Sequence, residues 1–242
     1  MKENEINHFN TLAADKGYAW WGSKTFSGQL RKKKRAEFAK KHVGDLKGKN
    51  ILEIGCASGD YTKYLAIEFP ESKITATDIS PGQIEIARRA VASVEFSVDD
   101  CEAMRFPDGT FDAVIANSIL HHVDTDTCLK ECLRVLKKGG AAFFTEPNML
   151  NPEVFLEKKI GWFRKKGQHS PDETAFYRWK VRKALERAGF EEIKARNFDF
   201  LHPLVPRGLS AVFYFLSDIL QNIPVIKEIS GSLMIFGRKP WR

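Results

Sequence analysis

Apolar and polar positions along the chain change rhythm near residue 48. Residues 1–47 are mostly polar and read as helical, with Phe9, Leu12 and Ala13 on one small apolar face and Trp20-Trp21 standing together. After that, short apolar runs alternate with amphipathic stretches. Asn50 to Ile54 predicts a buried strand, closed by the small-residue turn Gly55-Cys56-Ala57-Ser58-Gly59. Tyr61, Tyr64, Leu65 and Phe69 recur at helical spacing until Pro70. Lys73 to Asp78 is rich in β-branched residues and predicts a second strand. Ser80-Pro81 has the order of a helix start, an N-cap and then proline at the first helical position. Val94 to Val98 and Phe111 to Ala116 predict strands three and four. Residues 125–137 predict a helix with Cys128, Leu129, Cys132, Leu133 and Leu136 inward and Gly139-Gly140 closing it. Ala141 to Thr145 is strand five. Strands alternating with helices in this way imply βαβ units and a parallel sheet covered on both faces.

The C-terminal third is patterned differently. Residues 148–172 are irregular, 172–188 are helical up to Gly189, and strands are expected at 191–200 and 232–237. Between them, 204–229 is strongly apolar but broken by Pro206, Gly208 and Pro224, so it cannot span a bilayer. Leu209, Val212, Phe213, Phe215, Leu216 and Ile219 lie within it. Phe213 and Phe215 are two apart, so only one is expected to face a pocket. Three readings stay open for this stretch: the wall of an apolar substrate pocket, a helix making peripheral membrane contact, or a core or dimer element.

Composition narrows the class without naming a partner. The 242 residues are 43% hydrophobic and 29% charged, an ordinary globular balance. Lys+Arg exceed Asp+Glu by 38 to 31. The run Arg31-Lys32-Lys33-Lys34-Arg35 could grip an anionic lipid or nucleic acid, but a solvated helix face is the simpler expectation. Cys56, Cys101, Cys128 and Cys132 contain no CxxC pair, so no metal is expected. The start Met1-Lys2-Glu3-Asn4-Glu5 lacks an apolar secretory region, which makes a reducing cytoplasm the expected location.

In an open α/β sheet a ligand sits beyond the carboxyl ends of the strands. Here that rim carries Glu53 with the small-residue turn, then Asp78, placed to accept from ribose hydroxyls, and Asp100, placed to meet an adenine amino group. A nicotinamide fingerprint would need a third glycine where Asp60 stands, and a carboxylate there repels a pyrophosphate. A cofactor with a ribose and adenine, a cationic end and no phosphate suits these residues better.

ILEIGCASGD, TATDIS, VDDCEAMRFPDGTFDAVIANSILHHV and LRVLKKGGAAFFTEPN, in that order over residues 30–148, resemble the successive motifs of class I S-adenosylmethionine (SAM)-dependent methyltransferases. The resemblance is closest to the ubiquinone/menaquinone-biosynthesis-like, or type 11, group. It implies a Rossmann-like α/β fold: a seven-stranded, mostly parallel sheet with the last strand antiparallel and helices on both faces. It implies a 1–47 N-terminal helical lid and a 48–242 SAM-dependent methyltransferase domain, with substrate-cap insertions at 148–172 and 201–229. In SAM binding it implies that Glu53, Gly55, Cys56, Ala57 and Gly59 line the methionine part. Asp78 would hold the ribose diol and Ile79 would flank the adenine. Asp100 would take the adenine amino hydrogen, and the Cys101 backbone N–H would serve a ring nitrogen. Asn117 would face the methionine part, and Arg35 would pair with its carboxylate. Ala57 departs from the commoner glycine.

A general base is needed only for a hydroxyl or carbon-acid acceptor. His122, after strand four, is the candidate, beside His121. Glu146, His169 and His202 are weighed as direct participants or structural groups. The expected acceptor is a small molecule with an apolar part, such as a quinone, polyketide, lipid or lipid-linked sugar, methylated on oxygen or carbon. The basic charge keeps an RNA or protein methyltransferase open as an alternative. However, Asn117-Ser118-Ile119-Leu120 is not a base-methylating motif, and no nucleic acid partner is expected. A non-catalytic SAM-fold binding protein is a further alternative, against which intact Glu53, Asp78 and Asp100 argue.

Overall fold

The computed structural model describes residues 24–159 and 175–242, together with 6–7 and 10–11. Helix α1 (Phe26–Val43) opens on Thr25, whose hydroxyl accepts the Gly28 N–H at 3.0 Å. There follow β1 (Asn50–Ile54), α2 (Thr62–Glu68), β2 (Lys73–Asp78), α3 (Pro81–Ala90), β3 (Glu95–Val98) and β4 (Phe111–Asn117). After a short 3-10 turn (Leu120–His122) come α4 (Thr125–Val135), β5 (Leu136–Pro147), α5 (Pro152–Lys159), α6 (Arg178–Ala188) and β6 (Glu191–Phe198). The chain ends with α7 (Arg207–Leu220), a second 3-10 turn (Ile226–Ile229) and β7 (Ser232–Arg238).

The strand order is β3-β2-β1-β4-β5-β7-β6. β1 to β5 pair in parallel, and β7 runs antiparallel to both β5 and β6. Strands are added in one direction from β1 to β3 and in the other from β4 onward, so the switch point lies between β1 and β4. Alternation of side chains along each strand sorts the core into two faces. Leu52, Ile54, Val114, Ala116, Phe144 and Ile235 meet α4 and α6 on one face, through residues such as Leu129 and Leu185. Ile51, Ala113, Ile115, Phe143, Met234 and Phe236 meet Ala36 and Ala39 of α1 and Leu65 of α2 on the other.

Several expectations change. Gly139-Gly140 do not close a helix: α4 ends at Val135 and both glycines lie in β5. The Gly139 N–H donates to the Lys239 carbonyl, and the Lys239 N–H to the Gly140 carbonyl, so pairing with the chain end draws them into the sheet. The basic run is neither a solvated face nor an exposed grip. Arg31 pairs with Asp199 at 2.7 Å, Lys32 with Asp60 at 3.0 Å and Lys34 with Asp218 at 2.6 Å, while Arg35 is buried, so only Lys33 is exposed. Both Phe213 and Phe215 are exposed, because α7 packs inward through polar residues. Trp20-Trp21 and His169 lie outside the described residues, as does position 172, while 175–177 are not helical, so the helix expected from 172 begins at Arg178. Among the described residues no helix is long and apolar enough to cross a membrane.

Beyond the strand ends, the two insertions are tied together. The Asn148 side-chain amide donates to the Glu228 and Ser230 carbonyls, and the Asn151 amide to the Ile229 carbonyl. His202 Nε2 lies 2.8 Å from Glu153 of α5.

Candidate functional site

The carboxyl ends of β1, β2, β3 and β4 bring the candidate residues to one rim. The β1 turn passes through three left-handed residues: Gly55 at φ 67°, Ala57 at 45° and Gly59 at 79°. Gly55 is required twice over. A Cβ there would stand 2.8 Å from the Ile119 side chain, and L-residues resist its φ. Ala57 holds its unfavourable φ because its N–H donates to Asp78 Oδ2 at 2.9 Å. Asp78 Oδ1 accepts the Ser80 N–H, also at 2.9 Å. Asp78 therefore clamps the turn to the end of β2, a role that its expected ribose assignment did not include. Burial raises its carboxyl above the ordinary range, and the N–H groups of Ser80, Ala57 and Ile79 offset part of that rise. The Cys56 side chain is buried in a cluster with Ala76, Ile84 and Ala87 and its thiol lies 3.6 Å from the Ala57 carbonyl, so Cys56 can offer a ligand only backbone. Ile79 is half-buried beside Asp78.

A polar cluster occupies the β1 side. Glu53 is 1% exposed, and burial pushes its carboxyl up to about 8, against the lowering effect of the Thr62 hydroxyl and with Asp78 adding to the rise. Arg35 reaches in from α1. Its Nη1 donates to Asn117 Oδ1 at 2.6 Å and its Nη2 to Ser232 Oγ at 2.7 Å. Burial, with Arg31 adding, pulls the guanidinium down to about 10, so it stays charged at neutral pH. Tyr61 lies between them; burial and then Glu53 raise its phenol, while Arg35 lowers it. Glu53 Oε2, Tyr61 Oη and Arg35 Nε are all buried without a hydrogen-bond partner among the described residues. Asn117 Oδ1 also accepts from Thr145 at 2.8 Å, which leaves its amide N–H2 as the group to offer.

Asp100 and Cys101 follow β3. Asp100 Oδ1 accepts the Glu102 N–H at 2.9 Å, and the Cys101 thiol turns toward Cys128 in the core. After β4, His121 Nδ1 lies 2.6 Å from Glu146 Oε2, and both side chains are buried. Glu146 Oε1 accepts the N–H groups of Ile119 and Leu120, so this carboxylate holds the whole turn. The His122 ring, half-buried, lies 4.1 Å from that of His121. Asp60 faces Lys32, so its charge is matched inside the protein.

Sequence reasoning missed Tyr61, Asp199 and Ser232. Tyr61 reads as part of an apolar helix face, and only its place two residues past Gly59 hints otherwise. Asp199 ion-pairs with Arg31 at 2.7 Å and Arg35 at 3.7 Å across most of the chain length, and no local signal marks it. Burial works to raise the Asp199 carboxyl, but Arg31, Arg35 and Lys34 outweigh it and hold it low.

Residues 51–140 match the family described as "Methyltransferase domain". The chain is 36% identical over 105 residues to the fatty-acid O-methyltransferase of Mycolicibacterium smegmatis, covering 42% of this chain and 38% of that protein. It is 34% identical over 130 residues to the demethylmenaquinone methyltransferase of Chlorobaculum parvum, covering 53% and 54%. The chain thus spans about half or less of the length of these curated relatives. Among solved structures it superposes on a methyltransferase bound to the Trm112 activator of Haloferax volcanii, with a TM-score of 0.70 and 19% identity over 96% and 97% of the two chains, a likeness of fold.

Proposed function

We propose that this chain, which carries a class I methyltransferase domain of the ubiquinone/menaquinone-biosynthesis-like group, transfers a methyl group from SAM to oxygen or carbon of a small, partly apolar acceptor. The observation that carries this reading is the trio of unpartnered buried atoms, Glu53 Oε2, Tyr61 Oη and Arg35 Nε. Each such atom costs about 1–3 kcal/mol while unsatisfied, so a ligand meeting several at once is favoured. An α-amino acid end meets all three: its ammonium faces Glu53 and Tyr61, and its carboxylate faces Arg35 and the Asn117 amide. The backbone of Gly55, Cys56, Ala57 and Gly59 passes alongside. Asp78 retains lone pairs for ribose hydroxyls beyond those used by the turn. Ile79, Asp100 and the Cys101 N–H surround the adenine. A dinucleotide would instead bring its phosphates toward a buried carboxyl.

SAM supplies a methyl group on a cationic sulfur, which is already a good leaving group. The chain's own contribution is alignment, exclusion of water and movement of one proton. Glu146 fixes His121, and the His121 ring packs against His122, which receives the proton from a hydroxyl or carbon acid. The N-terminal segment acts as a lid; Ser80 Oγ donates to Asn10 Oδ1 at 2.6 Å, at the edge of the ribose side. The acceptor enters over the strand ends, beside the 148–172 and 201–229 insertions. Relatives named for fatty acids and demethylmenaquinone support that class.

Calorimetric titration with SAM and with NADH, followed by transfer of labelled methyl to a fatty acid, a quinol, RNA and protein, tests the proposal. SAM binding with label in the small molecules is the expected result. Preference for NADH overturns the cofactor assignment, and label only in RNA or protein overturns the acceptor class.

A further inference from the structure

Helix α7 is built inside out. A surface helix normally turns its apolar stripe to the core. In α7 the inward positions are Ser210, Tyr214 and Ser217, with Asp218 at their edge, and both serines are 0% exposed. Hydroxyls and charges dock it. Ser210 Oγ lies 2.7 Å from Ser27 Oγ of α1, Ser217 Oγ accepts the Phe200 N–H at 2.8 Å, and Lys34 reaches Asp218 at 2.6 Å. Leu209, Val212, Phe213, Leu216 and Ile219, spaced three and four apart, face outward with Phe215 at their flank, and all six are exposed. The same connection also exposes Leu204, Ile223, Val225, Ile226 and Ile229. A contiguous apolar surface of this kind marks an interaction site.

The charges around it select the occupant. Between residues 201 and 229 the only carboxylates are Asp218, taken by Lys34, and Glu228, which pairs with Arg178 at 3.4 Å. Arg207 and Lys227 form no ion pair among the described residues, and Arg207 lies 5.1 Å over the exposed Phe26 ring. The surface therefore offers apolar side chains with neighbouring cations and no unmatched carboxylate. That pattern suits the headgroup boundary of an anionic bilayer. We infer that α7 and the turn after it dock this protein onto an anionic phospholipid surface, apolar face down. Lys34, which holds α7, precedes Arg35 of the candidate site on the same helix. The inference stands on the cap alone and does not require that the acceptor be a lipid.

Flotation with vesicles of phosphatidylcholine and phosphatidylglycerol, and of phosphatidylcholine alone, tests it. The protein should float with the anionic vesicles and release in high salt. Val212→Ser combined with Phe215→Ser should weaken partitioning about tenfold or more, since two exposed apolar side chains lose their transfer into lipid. Arg207→Glu should weaken it for anionic vesicles only. SAM titration and thermal melting of each variant should match the parent protein, which separates this proposal from the methyltransferase reading. If the double variant melts early, Arg207→Glu, at a side chain that lies over the exposed Phe26 ring, carries the test. No flotation, or flotation that the substitutions leave unchanged, overturns the inference. A dimer that the double variant converts to monomer, without vesicle binding, also overturns it and assigns the face to a second copy.

Discussion

Glu53 makes cofactor binding a titration. Its carboxyl is 1% exposed, its Oε2 has no hydrogen-bond partner among the described residues, and burial lifts its ionisation to about 8. A ligand ammonium binds the ionised form, so below that pH binding must first remove a proton. Each pH unit costs about 1.4 kcal/mol. SAM affinity should therefore rise about tenfold per unit between roughly pH 6 and 8, then level off. Calorimetry in buffers of different ionisation enthalpy should record release of nearly one proton per SAM at the acid end of that window. Glu53→Gln should bind more weakly above pH 8 and lose the slope. Stability without ligand runs in the opposite direction. The folded carboxyl keeps its proton up to about 8, whereas the unfolded one gives it up near 4.5. Between these values the folded state binds more protons, so stability is full below the lower one and falls as pH rises through the window. Saturating SAM should reverse that fall. Affinity that is flat from pH 6 to 8, with no proton exchanged, would refute the placement of an ammonium beside Glu53.

Asp78→Asn leaves one acceptor oxygen where the Ala57 and Ser80 N–H groups now each have their own, and it weakens the proposed ribose contacts. With charge-assisted bonds worth about 1.5–3 kcal/mol each, SAM affinity should drop at least about tenfold, and an unchanged Kd rejects the assignment. Ala57→Gly relieves a left-handed alanine worth about 1–2 kcal/mol and returns about 0.5–1 kcal/mol to chain entropy, so chemical denaturation should show equal or greater stability. Gly55→Ala drives a methyl into Ile119 and should lower Tm by an amount equivalent to about 1–3 kcal/mol, with SAM binding lost alongside. His122→Ala should lower kcat about a hundredfold or more on a hydroxyl acceptor with the Kd for SAM unchanged; equal loss of both would make it a structural residue.

What was legible in the sequence is what depends on neighbours along the chain. Short runs of apolar residues mark β1 and β2 end to end and place β3 and β4 within a residue, because strands covered on both faces are buried almost continuously and that shows in a local stretch. Ser80-Pro81 announces α3 because a cap and its helix are contiguous, and the Ser80 hydroxyl does accept the Gln83 N–H. The glycine turn with Glu53, Asp78 and Asp100 is legible because each lies at or just past the carboxyl end of a strand, and parallel strands bring those ends to one rim. Helix α4 was misjudged at its end, where Gly139 and Gly140 are claimed by Lys239, a partner a hundred residues away. The basic run was misjudged for the same reason: Asp60, Asp199 and Asp218 neutralise it only once the chain has folded. Ionisation lies wholly beyond the sequence, since Glu53 rises to about 8 through desolvation by surroundings that no local stretch supplies. Helix α7 shows the division most plainly. Its amphipathic spacing is written in the sequence, but periodicity specifies two faces and not their direction. The sense was decided by Ser27, Lys34 and the Phe200 N–H, which bind the polar face and leave Val212 and Phe215 to the outside.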